Sequence, residues 1–360
     1  MPAIPCTIVR GGSSKGVFVL EDRLPADAAR RDGALVALMG SPDPRQIDGL
    51  GGADPLTSKV VIVSRTTRPD CDVEYESVEV ALGEKFVNHG IMCGNLTAGV
   101  AHFAALEGLI PADAASGAVR LYCRNNAKFI VSSAQGASGE PLELRGGNAA
   151  VSLKFEDPAG AVTGKLLPLG EPQSFIDVEP GRRLAVSVVD SGTLYAFVRA
   201  TDVGVTGAES APDLDNVAEF RRIMELVRIK VAERINARMS SAEGQLSPRR
   251  VKLAIVAAAP GATDKDLLAR VINPAKVHKA YAVSGAICLG SAASIEGSLV
   301  RELVPKLSAP VSIRIGHPTG ILPVTIHYSD GPDGRRIDGA EIQRSIRVLL
   351  RGEAYLAEES

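Results

Sequence analysis

Four short stretches of this sequence carry residue types that can do chemistry. Lys59 ends the run Thr57-Ser58-Lys59 and is followed at once by the apolar segment Val60–Val63. A lysine at the mouth of a buried strand loses solvation, and desolvation favours the neutral amine, the form that acts as a base. Cys93 opens Cys93-Gly94-Asn95 directly before an apolar, alanine-rich stretch. At the start of a helix a thiolate gains from the partial positive charge there, and the N–H groups of Gly94 and Asn95 suit a carboxylate. The segment Arg10-Gly11-Gly12-Ser13-Ser14-Lys15-Gly16 combines two cations, two hydroxyls and glycines that let a ligand approach the backbone. It lacks the spacing of a P-loop. In the second half, Ser284-Gly285 and His317-Pro318-Thr319 read as turns with donors for a second carboxylate, and His278 is a further candidate. Each stretch also has a plainer reading: a solvated strand-edge lysine, an inert buried cysteine, a glycine-rich hairpin, packing histidines.

Positioning these groups takes many short strands and few helices. Ile4–Val9, Gly16–Leu20, Val60–Ser64, Val73–Ala81, Val119–Cys123, Val151–Phe155, Leu184–Val189, Tyr195–Arg199, Val251–Ala258, Val311–Ile315 and Leu322–His327 read as strands bounded by Gly, Pro and Asp. Helical spacing runs through Ala26–Met39, Leu96–Leu109, Ala218–Met239, Ser291–Val304 and Asp338–Arg351. Leu96–Leu109 is apolar almost all round, which calls for burial. Gly136–Gly147 and Glu243–Pro248 read as surface loops. Both halves carry an Ala/Gly-rich helix entered from a small-residue turn. That symmetry places a boundary near Pro180-Gly181, giving domains 1–181 and 182–360, with the last segment able to pack back on the first domain.

Composition narrows the function classes. The 360 residues carry 40 basic and 42 acidic side chains, and a near-neutral chain is a poor non-specific nucleic-acid binder. Aromatics are 4% with no Trp, which argues against a base-stacking platform. No apolar run is long enough to span a bilayer, and the first residues lack a signal-peptide core. A cytoplasmic protein without nucleic-acid or membrane partners is the expectation. The five cysteines form no CxxC and the five histidines no HxH or HExxH, so neither a disulfide framework nor a metal site is expected.

RGGSSKG (residues 10–16), GSPDPRQIDGLGGADPLTSK (40–59), CGN (93–95) and DVGVTGAES (202–210) occur in that order. Together they resemble the family of 2-methylaconitate isomerases and 4-oxalomesaconate tautomerases, which includes methylitaconate Δ-isomerases. The run SPDPRQIDGLGGADPLTSK is most similar to the 4-oxalomesaconate branch. The resemblance implies an α/β (α+β) fold of two diaminopimelate epimerase-like domains. Each would be a curved, mostly antiparallel sheet around a central helix, with the active site in the cleft between them. It implies Lys59 and Cys93 as catalytic residues. Arg10, Ser13, Ser14 and Lys15 fall on the motif lining the carboxylate pocket, and Thr57, Ser58, Gly94 and Asn95 are further contacts. Ser284-Gly285 occupies the second helix entry, with His317 and Thr319 nearby in sequence.

The implied activity is a cofactor-independent proton shift across the allylic system of an unsaturated di- or tricarboxylate, first of all 4-oxalomesaconate. The alternatives are 2-methylaconitate and methylitaconate and, in another class, a non-catalytic carboxylate-binding protein. Racemases of this superfold resemble two-base machines with a cysteine at each helix entry. Serine at 284, a poor base, argues against that chemistry, and Cys288 lies one turn further, pointing elsewhere. A homodimer is expected on the general prevalence of two-fold oligomers.

Overall fold

Period-two burial governs most of the chain, so strands dominate. The structure, a computed structural model, describes residues 3–90, 92–114, 117–135, 149–239, 245–274, 276–304, 307–332 and 334–356. The expected loop Gly136–Gly147 lies outside these residues, as do Glu243 and Gly244 of the other expected loop. The chain forms two compact units, Met1–Glu156 with Gln343–Ser360, and Asp157–Ile342.

In the first unit, β1 (Ala3–Gly11) and β2 (Ser14–Leu20) form an antiparallel hairpin in which Gly11 faces Ser14. Gly12 turns the chain at a φ of +50°, which strains any residue with a side chain. α1 (Ala28–Met39) starts where the Asp27 carboxylate accepts the Arg30 N–H and stops at the left-handed Gly40. There follow β3 (Lys59–Ser64), β4 (Val73–Val80), β5 (Val87–Asn88), the short α2 (Gly94–Thr97), α3 (Val100–Leu106), β6 (Ala118–Cys123), β7 (Lys128–Gln135) and β8 (Ala149–Glu156). One face of this sheet packs Val17, Val60, Ile62 and Val78 against Leu35, Leu38 and Met39 of α1. The other face receives α2 and α3: the Phe18 and Phe103 rings lie 5.6 Å apart, and Tyr75 Oη bonds Thr97 Oγ1 at 2.8 Å.

The second unit holds β9 (Ser174–Glu179), β10 (Arg182–Ser191), β11 (Thr193–Arg199), α4 (Ala211–Asp215), α5 (Ala218–Asn236), β12 (Lys252–Ala258), β13 (Leu267–Ile272), α6 (Val283–Ser294), α7 (Leu299–Leu303), β14 (Val311–His317) and β15 (Gly320–Gly331). β16 (Gly334–Tyr355) belongs to this unit up to Ile342 and to the first from Gln343. The two units repeat one ladder. From β1 to β4 and on through β6 to β8 the pairings run antiparallel, parallel, antiparallel, parallel, antiparallel, antiparallel. From β10 through β16 they run in the same order. Within the copies α2–α3 and α6–α7 occupy the same place, and every residue of α6 except Ser284 is buried.

Several expectations change. Pro180-Gly181 is the turn of the β9–β10 hairpin, with Glu179 opposite Arg182, and so lies inside the second unit. The helix expected at Leu96–Leu109 is broken at Gly99, where a Cβ would lie 2.9 Å from Phe18 Cζ. The helix expected at Ser291–Val304 starts earlier, at Val283, and is two helices. Asp338–Arg351 is not a helix but the middle of β16. Its backbone completes two ladders, Thr325↔Glu341 onto β15 and Val9↔Val348 onto β1. Among the described residues, no helix is long and apolar enough to cross a membrane.

Candidate active site

Lys59 is the first residue of β3 and only 6% exposed. Directly opposite it on β4 stands Glu79, and Lys59 Nζ donates to Glu79 Oε2 at 2.6 Å. The loop leading into Lys59 is held from inside by Gln46, which is buried. Its Nε2 donates to Ser58 Oγ at 2.6 Å and to Ser41 Oγ at 3.2 Å, and its Oε1 accepts the Ala53 N–H. A Cβ on Gly51 would lie 2.0 Å from Gln46 Oε1, so glycine is required there. Ser58 Oγ donates to the Val80 carbonyl. Ser58 therefore fixes the start of β3 rather than presenting a free hydroxyl. Thr57 Oγ1 likewise donates to the Asp54 carbonyl.

Cys93 caps α2 at 9% exposure. Its N–H donates to Ser77 Oγ at 3.0 Å, and its Sγ lies 3.8 Å from Ser14 Oγ. Ser77 and Glu79 are two positions apart on β4 and share a face, so the Lys59–Glu79 pair and Cys93 meet the same side of the sheet. Asn125 braces this arrangement. Its Oδ1 accepts the Ser77 N–H, and its Nδ2 donates to the carbonyls of Ser77 and of His89, four residues before Cys93.

Asn95 closes the third side. Its Nδ2 donates to Ser13 Oγ at 3.1 Å and Ser14 Oγ at 3.3 Å, and its Oδ1 accepts Arg344 Nε at 2.9 Å. Gly11 and Gly12 let this happen: a Cβ on Gly11 would lie 2.2 Å from the Asn95 carbonyl oxygen, and one on Gly12 2.6 Å from Asn95 Oδ1. Burial pulls the Arg344 pKa down to about 10, against the charge of Cys93, which works in the opposite direction. Arg344 still carries its positive charge at neutral pH.

The structure thus brings together Lys59, Cys93, Gly94, Asn95, Ser13 and Ser14. Arg10 and Lys15 stand elsewhere. They face each other across the hairpin and alternate with Gly11 and Ser14, so their side chains leave the opposite face of the strands. Arg10 Nη1 bonds the Gly12 carbonyl and Ser345 Oγ. Lys15 Nζ points to the Gly52 turn, 3.4 Å from where a Cβ would stand. The remaining candidates belong to the second unit. Ala282, not Ser284, caps α6, which matches it to Cys93 and matches Ser284 to Asn95. A Cβ on Gly285 would lie 2.7 Å from Tyr195 Oη. His317 and Thr319 bond each other at 3.3 Å in the β14–β15 turn, and His278 Nδ1 accepts the Ala280 N–H. Cys288 is fully buried, its Sγ toward the Val189 carbonyl at 3.1 Å. Among the described residues no group of three or more His, Cys, Asp or Glu is placed to hold a metal.

Sequence reasoning missed Glu79, Ser77, Asn125 and Arg344. Glu79 had a signal in the alternation Val73–Val80, since a polar residue opposite the first residue of β3 pairs with it. Ser77, Asn125 and Arg344 reach the site only through folding.

The PrpF protein family model matches residues 1–357. The chain belongs to the PrpF protein family. A 3-methylitaconate isomerase of Eubacterium barkeri is 34% identical over 98% of this chain and 97% of its own. A (4E)-oxalomesaconate Delta-isomerase of Novosphingobium sp. (strain KA1) is 35% identical over 99% and 98%. Among solved structures, a methylitaconate-delta-isomerase superposes with a TM-score of 0.79 at 32% identity, covering 98% of this chain and 95% of that one. A hydroxyproline epimerase from Agrobacterium vitis shares the fold alone, at a TM-score of 0.58 and 14% identity over 98% and 92% of the chains. This PrpF-family chain is an isomerase with the epimerase-like fold that its sequence motifs implied.

Proposed function

We propose that this protein moves a proton across the allylic system of an unsaturated di- or tricarboxylate, with 4-oxalomesaconate as the leading substrate. The observation that carries the reading is the placement of the Lys59–Glu79 pair and Cys93 against one face of the same sheet. Lys59, as the amine, would take a proton from the methylene next to the double bond. Glu79, 2.6 Å away, is the group able to hold the proton that Lys59 must first give up. The electrons left behind delocalise into the conjugated carboxylate or keto group, and a positive charge and hydroxyls beside that group lower the barrier. Lys59 or Cys93 then returns the proton at the far allylic carbon. The shift is redox-neutral and substrate and product have the same composition, so the side chains named can carry each proton step by themselves.

Methylitaconate is the second reading, favoured by the isomerases named for it among the relatives and solved structures. The motif run through residues 40–59 supports 4-oxalomesaconate. Incubating the protein separately with 4-oxalomesaconate, 2-methylaconitate and methylitaconate in D2O, followed by proton NMR, tests the proposal. Deuterium entering an allylic position with a new isomer in one tube identifies the substrate. Ligands that bind in every tube without exchange would refute isomerisation of these acids and point to a carboxylate-binding role.

A further inference from the structure

Along β16 the inward positions read Ala340, Ile342, Arg344, Ile346, and three of these four are buried apolar residues. A cation set into an apolar row loses hydration and needs a compensating anion. Among the described residues Arg344 has none. Its Nε goes to Asn95 Oδ1 and one Nη1 hydrogen to the Gln343 carbonyl, both neutral acceptors. No carboxylate among the described residues lies within ion-pair distance of it, and its Nη2 has no partner there. The Asn95 amide that accepts Arg344 Nε donates in turn to Ser13 and Ser14, and Ser14 Oγ lies 3.8 Å from the Cys93 sulfur, so a two-step chain of contacts links the guanidinium to Cys93. Gly12 is shaped to it as well, since a Cβ there would stand 3.0 Å from Arg344 Cδ.

We propose that Arg344 is the anion-holding cation of the Cys93 pocket, binding one carboxylate of the substrate and drawing negative charge onto the Cys93 sulfur. The carboxylate half rests on the reading of the protein as a polycarboxylate isomerase. The sulfur half does not. A guanidinium serves both, because its planar fork matches a carboxylate and its charge is permanent at neutral pH. The residue stands just before the stretch of β16 that pairs with β1.

The test uses iodoacetamide, a neutral reagent, with mass spectrometry of the Cys93 peptide, and tricarballylate as a saturated tricarboxylate that cannot isomerise. In the natural chain, tricarballylate should slow labelling of Cys93. In Arg344→Gln, labelling without ligand should slow several-fold, and the tricarballylate concentration giving half protection should rise on the order of tenfold to a hundredfold. Arg344→Lys keeps the charge and should label near the natural rate while protection still weakens. This second variant separates the charge from a merely structural effect of replacing the arginine. An Arg344→Gln protein that labels and is protected like the natural chain overturns the proposal. If tricarballylate fails to protect even the natural chain, the polycarboxylate reading falls. The labelling rate of Arg344→Gln then decides the sulfur half alone, slowed in its favour and unchanged against it.

Discussion

Lys59 and Glu79 make a two-residue device whose parts fail differently. In the proposed mechanism Lys59→Met removes the base and should lower kcat by on the order of a thousandfold, measured as the NMR rate of isomer formation. Glu79→Gln keeps the size and a hydrogen bond but cannot hold a proton. It should lower kcat about tenfold or more with a smaller change in KM. An unchanged kcat in Glu79→Gln would leave Glu79 as packing only. A second residue-scale consequence comes from His102, buried in α3 with neither ring nitrogen bonded among the described residues. Burial lowers its pKa from 6.5 to about 4. Between those values the unfolded chain takes up a proton that the folded chain refuses, so stability falls as pH drops through this window. The loss reaches about 3 kcal/mol by pH 4. His102→Leu should remove that part of the acid sensitivity, seen as a smaller drop in Tm between pH 7 and pH 4.5.

At the scale of elements, the Cys93 loop is anchored by His89. Its Nδ1 meets Glu76 of β4 at 2.7 Å and its Nε2 meets Asp32 of α1 at 3.0 Å. Burial works to lower its pKa, but the bonds and charges of Glu76 and Asp32 raise it overall. A raised folded-state pKa gives stability that is complete below the unfolded value and is lost as pH rises through the folded one. His89→Gln should therefore lower Tm more at pH 6 than at pH 9, and equal losses at both would contradict the pairing. The elements also show where the sequence misleads. Ile342, Ile346, Leu349 and Leu350 fall at helical spacing, yet they lie on a strand. The register slips between His327 and Tyr328 on one partner and between Ile8 and Val9 on the other, which leaves Asp338 and Leu349 as extra residues in β16. The bulge at Asp338 moves the buried set from Ile337 and Gly339 to Ala340, Ile342 and Ile346, and the period of two disappears from the sequence. Read as a helix, the segment hides Arg344 among surface arginines. Read as a strand, it shows an arginine in an apolar row.

At the scale of the whole molecule, one ladder is used twice but only the first copy holds the Lys59–Glu79 pair. Where the first unit has Gly16 beside the Lys59 carbonyl, the second has Tyr195 beside Lys252, and its ring fills the space against Gly285. The caps Cys93 and Ala282 differ in the same sense. The second unit thus offers neither thiol nor base at its helix entry, which agrees with an allylic shift rather than two-base racemisation. The last segment closes the first unit by pairing along the whole of β1. Ending the chain at Ile342 would remove Arg344 and leave β1 as an open edge. Aggregation in size-exclusion chromatography and the loss of isomerisation are the expected results; a monomeric, active truncation would contradict this role for β16.

The sequence by itself determined the family, the alternation of strands with two buried helices, and Lys59 and Cys93 as the residues to examine. It could do so because those features are local: a motif, a burial period, a small-residue turn before an apolar run. Tertiary structure alone decided which groups share the pocket. The pleat sends Arg10 and Lys15 away from Cys93 although they flank Ser13 and Ser14 in sequence. The pairing of β3 with β4 supplies Glu79, and the return of β16 to β1 brings Arg344 to Asn95 across 249 residues. A ladder's register and a bulge's parity are set by partners distant along the chain, so a linear reading passes over them.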